Sequence, residues 1–212
     1  MQAIQAVILE PAGCLAEFRA ADFHEAAGRL SGSAGAGPTT GSQAYWAFVR
    51  LLAARRGRLA PPERKDLQKL ELQAVDNAQL YEDVTVALHQ LRQMDIKVLI
   101  ASSLSREAVD HFLEKFSLRE LFTGSVTRDE ADGVMAQPLL KAIKDASLDP
   151  AGTIYLADTE EGLMIGKEVG VNAMLMINDH DEGHRLAGYN PAGGIVSLIE
   201  LPDGLKLIAQ QS

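Results

Sequence analysis

The sequence predicts an α/β protein: a parallel-sheet core interrupted, soon after its first strand, by an all-helical insert. Three observations carry this. Short apolar runs alternate with amphipathic helical stretches over most of the chain. The first run is continuously apolar from Ala6 to Leu9, as in a central strand buried on both faces. Between about Ala16 and Gln79 there are helical patterns and no strand candidate.

The elements follow in order. A first strand over Ile4–Leu9 ends where Pro11 and Gly13 break the run. Phe23, Ala27 and Leu30 share one face of a first helix, and the Gly-, Ser- and Thr-rich stretch Ser31–Ser42 reads as a loop. Gln43–Arg56 places Tyr45, Val49 and Leu52 on one face, with Gly57 as a C-terminal stop. Pro61-Pro62-Glu63 opens a helix carrying Leu67, Leu70 and Ala74. Alternation resumes at Glu82, with Val84, Leu88 and Leu91 inward on a helix that leads to the strand Lys97–Ala101. Ser105–Phe116 is a helix, Gly124–Thr127 a short strand, and Leu139–Ala146 a helix preceded by Gln137-Pro138. Thr153–Ala157 is a strand, Glu160–Val169 a helix stopped by Gly170, Ala173–Ile177 a fifth strand and Ile195–Ile199 a weaker sixth.

Composition narrows the function classes. The chain has 212 residues, 47% of them apolar, and a net charge of −9. That length suits one medium domain, or a core with an insert. The acidic balance argues against nucleic acid and anionic membranes as partners. No apolar run reaches the roughly 18 residues of a membrane span. The N-terminus lacks a basic region before its first strand, so no signal peptide is expected, and the expected location is the cytoplasm. One cysteine, Cys14, excludes an internal disulfide framework and any multi-cysteine zinc site.

In open α/β sheets, ligands bind outside the carboxyl ends of the strands. Topology alone therefore selects Glu10–Gly13, Ser102-Ser103, Thr127 onward, Asp158–Glu161 and Asn178–His184. If the first strand and Thr153–Ala157 are neighbours, Glu10 and Asp158 converge. Two carboxylates, a backbone carbonyl and waters suit Mg²⁺, and Ser102 with the helix start after Ser103 suits a phosphate oxygen. The same acids also suit plain solvated strand ends or helix caps.

The order of parts resembles the haloacid dehalogenase-like (HAD) hydrolase superfamily, in the helical-cap branch of β-phosphoglucomutase-like and phosphoglycolate phosphatase-like proteins. The resemblance rests on Glu10-Pro11-Ala12-Gly13-Cys14-Leu15, the helical insert, Val98–Ser103, Gln137-Pro138, and Ile154–Leu163 with Gly170 closing its helix. It implies a Rossmann-like core of residues 1–15 and 80–212 with a helical cap over 16–79. It also implies Mg²⁺ held by Glu10, the Ala12 carbonyl and Asp158, and phosphate held by Ser102 and Ser103.

The catalytic carry-over is broken at three positions. The family's first motif is Asp-x-Asp-Gly-Thr-Leu, in which the first Asp is the nucleophile and the second the general acid/base. Glu10 and Ala12 stand there, and Gln137 stands for the family's Lys. Glu10 carries its carboxylate one methylene farther out, and a displacement of about 1 Å costs about 10² in rate where in-line geometry is required. Ala12 cannot shuttle a proton, a loss of about 10²–10⁴. Gln137 cannot neutralise phosphate. The resulting expectation is a catalytically degenerate member with weak or absent Mg²⁺, acting through a small phosphorylated ligand or a protein partner. The alternative is a Mg²⁺-dependent phosphatase or phosphomutase-like enzyme of variant mechanism.

Other groups have ordinary readings beside functional ones. Cys14 reads as a small buried residue at a Thr-like position, and Lys141 as an exposed helix lysine. Asn178–His184 reads as a solvated loop despite its His pair, and Arg55–Arg58 as a solvated helix end. Tyr45, Trp46 and Phe48 either line a substrate pocket or pack the insert.

Overall fold

The computed structural model describes residues 4–32, 40–55 and 60–211. Part of the expected Ser31–Ser42 loop (33–39), the Gly57 stop, and Arg56 and Arg58 of the basic run lie outside the described residues.

Six parallel strands form one sheet: β1 (Ala6–Leu9), β4 (Lys97–Ser102), β5 (Gly124–Thr127), β6 (Thr153–Ala157), β7 (Asn172–Met176) and β8 (Gly194–Ile195), in the order β5-β4-β1-β6-β7-β8. The central strand β1 has every residue fully buried, which is why its sequence is apolar without alternation. A parallel sheet needs crossover connections, and helices supply them. They are α4 (Val84–Gln93), α5 (Arg106–Lys115), α6 (Arg128–Ala131), α7 (Ala136–Asp145), α8 (Glu160–Val169) and α9 (His180–Ala187), while α10 (Leu201–Gln211) follows the last strand. Gly170 ends α8 in the left-handed region (φ 82°) that a side chain would disfavour, and its N–H bonds the carbonyl of Gly166.

Among the described residues three helices lie between β1 and α4: α1 (Ala20–Ser31), α2 (Gly41–Ala54) and α3 (Pro61–Asn77). Two short strands flank them, β2 (Ala16–Glu17) and β3 (Gln79–Leu80), paired antiparallel with Ala16 opposite Leu80. The chain therefore leaves and re-enters the sheet region through one two-stranded ribbon. Those strands are too short to show a period-2 pattern, which is why none was expected there. Phe23, Tyr45, Trp46 and Phe48 pack together, with Phe23 stacked on Phe48 at 6.0 Å.

Three expectations need correction. Asn178–His184 is not a loop: residues from His180 form α9, capped by Asp179, whose carboxylate accepts from the Glu182 N–H. Acids in the first turn, Asp181 and Glu182, favour that helix start and outweigh the internal glycine. The sixth strand stops at Ile195, and Leu198–Glu200 is a 3₁₀ turn. The helix after Gln137-Pro138 starts earlier, at Ala136, so Pro138 lies in its first turn, where no N–H is needed. On α3 the expected Leu67, Leu70 and Ala74 do face the core, joined there by the buried Glu71 and Val75.

Candidate functional site

The register of the sheet builds the site. Leu9 lies beside Ile100 of β4 and Leu156 of β6. One step on, Glu10 leaves the sheet between the ends of those strands, where Ser102-Ser103 and Asp158 also emerge. The crevice thus gathers Glu10, Ala12, Ser102, Ser103 and Asp158 at one edge, as topology required.

A residue of the insert fills the middle of it. Tyr45, on α2, is fully buried, and its hydroxyl donates to Glu10 Oε2 at 3.1 Å. The same oxygen accepts the Ser103 N–H at 3.0 Å and lies 3.4 Å from Ser102 Oγ. The one proton of the phenol goes to Glu10, and its oxygen is left to accept from Ser103. Ser102 Oγ also accepts from the Leu104 N–H, and Ser103 Oγ turns aside to accept from the Met135 N–H. The sequence left Tyr45 between pocket lining and packing. It reaches into the crevice, while its neighbours Trp46 and Phe48 pack the insert.

Burial sets the protonation of the acids. Glu10 is 4% exposed, and desolvation pushes its carboxyl up to about 8 against the lowering effect of the Ser102, Tyr45 and Ser103 hydrogen bonds. Desolvation likewise pushes Asp158 up to about 6, although Ser42 and Asn178 hydrogen-bond it. The Asn178 amide bridges Asp158 Oδ2 and the Gly13 carbonyl.

Gly13 is needed where it stands. Its φ is +79°, and a Cβ there would fall 1.9 Å from Asp158 Oδ2 and 2.2 Å from Ser42 Oγ. Gly13→Ala is expected to lower stability by about 1–3 kcal/mol in urea unfolding, from the left-handed backbone and the displaced Asp158 together. A loss under 0.5 kcal/mol would show that the loop relaxes freely.

The residues present do not fit a divalent cation in this arrangement. Glu10 is engaged by Tyr45 and Ser102, and Asp158 by Ser42 and Asn178. Ala12 is buried and offers a carbonyl only.

Gln137 is not brought into the crevice. It sits exposed in the first turn of α7, its side chain over Gly133. Lys141 pairs with Asp145 on the surface. The His180 and His184 rings lie 4.6 Å apart on α9, tilted by 33°. Cys14 is buried with its thiol on the Leu156 carbonyl, and desolvation pushes that thiol upward.

The positive charge beside the crevice comes from a residue that motif reasoning passed over. Arg128, directly after β5, donates to the Ser103 carbonyl at 2.9 Å and forms a bidentate ion pair with Glu71 of α3. The sequence signal for this pair was an acid on the Leu67–Ala74 face of a helix and an arginine at a strand end. A cleft of about 600 Å³ opens on the other side, by Asp158, lined among others by Glu17, Ser42, Tyr81, Asn178 and Glu182. Glu10, Ser102 and Ser103 do not line it.

Comparison with known proteins gives a consistent answer for the fold. The family described as haloacid dehalogenase-like hydrolase matches residues 54–176, a span that includes Ser102, Gln137 and Asp158 but not Glu10 or Ala12. No curated protein matches the sequence. Among solved structures, a conserved haloacid dehalogenase-like protein of unknown function from Agrobacterium tumefaciens superimposes with a TM-score of 0.69 at 16% identity, over 98% of this chain and 100% of its own. A HAD phosphatase from Thermococcus onnurineus gives 0.62 at 20% identity, over 94% and 96%. The L-2-haloacid dehalogenase from Xanthobacter autotrophicus gives 0.63 at 14%, over 96% and 98%. Phosphatase and dehalogenase share this fold, so the likeness speaks to architecture alone.

Proposed function

The chain belongs to the haloacid dehalogenase-like hydrolase family, and from that premise we propose that it is a catalytically degenerate member that works by binding. In this reading residues 16–79 are the helical cap, and 1–15 with 80–212 the core. The ligand is a small phosphorylated molecule or a protein partner. Mg²⁺, which the superfamily generally uses, is held weakly or not at all. The cytoplasm is the location we assign, in keeping with a lone reduced cysteine and with the absence, among the described residues, of any helix long and apolar enough to cross a membrane.

The observation that carries the reading is the Tyr45 hydroxyl, which takes up Glu10, Ser102 Oγ and the Ser103 N–H at once. Those are the groups that the family resemblance assigns to attack and to phosphate. A buried Glu10 held near pKa 8 is largely protonated at neutral pH, and a protonated carboxyl is no nucleophile. The absence of an acid at Ala12 removes proton transfer to a leaving group as well.

The test is phosphate release from a panel of phosphomonoesters at high protein concentration, with and without Mg²⁺. Wild type and Glu10→Ala are expected to be indistinguishable, any trace activity being indifferent to the metal. Turnover that needs Mg²⁺ and vanishes in Glu10→Ala would replace this reading with the variant phosphatase.

A further inference from the structure

The Glu71–Arg128 pair is built like a ligand in its site. Arg128 presents its guanidinium fork to both carboxylate oxygens of Glu71, and the Ser105 N–H donates to Glu71 Oε2 at 3.3 Å. Ser105 is the N-cap of α5, a ten-residue helix, so its N–H lies at the positive end of a helix dipole. The Ser103 carbonyl braces the guanidinium from behind at 2.9 Å. Every receptor group, Arg128, Ser103 and Ser105, follows a core strand. The anion comes from α3, in the helical insert. The Glu71 side chain is 0% exposed and that of Arg128 13%, so the contact is dry. A planar bidentate fork plus a helix-start N–H is the geometry that recognises any oxyanion of carboxylate or phosphate shape.

We propose that Arg128 and the Ser105 N–H form an oxyanion-binding site on the core whose resident anion is the cap's own Glu71 carboxylate, an internal ligand that holds the cap shut and excludes free phosphate. The site does not depend on whether any catalysis survives, since it uses none of Glu10, Ala12 or Asp158. Tethering explains the exclusion. Glu71 is delivered on a packed helix at high effective concentration, and a dissolved anion must outcompete it. Removing the carboxylate without removing the receptor then exposes a phosphate site.

The experiment compares thermal unfolding of wild type, Glu71→Gln and Glu71→Gln/Arg128→Gln in inorganic phosphate against chloride of matched ionic strength. Phosphate is expected to raise the Tm of Glu71→Gln, half-saturating at a concentration at least tenfold below any effect on wild type, and to leave the double variant unmoved. Glu71→Asp covers the case in which Glu71→Gln does not fold. It keeps the charge but shortens the reach, and is expected to respond to phosphate more than wild type does. The proposal is overturned if neither variant responds more than wild type, or if the response survives loss of Arg128.

Discussion

Glu10→Gln is expected to stabilise the protein, and to do so more as pH rises. The reasoning is linkage. An unfolded glutamate titrates near its ordinary value of 4.5, whereas the folded carboxyl is pushed up to about 8 by burial. Between those values the native state holds a proton that the unfolded state has released, so stability falls as pH rises from about 4.5 to about 8. Below that window the group contributes no penalty, and above it the penalty is complete. A difference of that size corresponds to roughly 4–5 kcal/mol as an upper limit. Gln is nearly isosteric and still accepts from the Tyr45 hydroxyl, so the variant loses the ionisation and keeps the packing. Urea unfolding at pH 5 and pH 8.5 checks this. The gain should be within 1 kcal/mol at the lower pH and a few kcal/mol at the higher. Asp158, pushed to about 6, adds a slope of the same sign to both proteins, and its charge also contributes to raising Glu10. An equal gain at both pH values would mean that Glu10 is ionised in the fold throughout, and the protonated-carboxyl argument against attack would fall with it.

How far the sequence could carry this argument depends on the range of each interaction. Strands such as Gly124–Thr127 and Thr153–Ala157 and the helix Glu160–Val169 were legible to the residue, because their signals are local: apolar runs, a Thr cap, a closing Gly. The α9 helix was missed because a glycine and four polar residues outvote one good cap in a short window. Strand order was open, yet once β1 lies between β4 and β6 the meeting of Glu10, Ser102 and Asp158 is forced by register. What no local pattern encodes is which side chain of the insert enters the crevice. Tyr45 and Trp46 are adjacent aromatics on one helix, and only the packed insert turns the first toward Glu10. Gln137 shows the converse: a position matched by motif spacing sits exposed, on the face of its helix opposite the buried Leu139, Ala142 and Ile143.

Breaking the Glu71–Arg128 pair from one side is expected to cost about 3–5 kcal/mol, whether by Glu71→Ala or Arg128→Ala, against less than about 1 kcal/mol for the exposed pair Lys206–Asp203. The asymmetry is one of solvent. Lys206 and Asp203 are 59% and 82% exposed and rehydrate when parted, but a lone Arg128 or Glu71 stays in a dry contact with its charge uncompensated. For a chain of this size that is a fall in Tm on the order of 10 °C. Replacing both at once, Glu71→Met with Arg128→Met, is expected to recover most of the loss, because apolar side chains of similar volume carry no desolvation penalty. If the single changes cost no more than the surface pair, water reaches the contact and Glu71 cannot act as a lock. If the double change is as damaging as either single one, then the Ser103 carbonyl and Ser105 N–H that Arg128 and Glu71 leave behind are what suffer, and the pair organises the Ser103–Ser105 loop after β4 more than it holds the proposed cap shut.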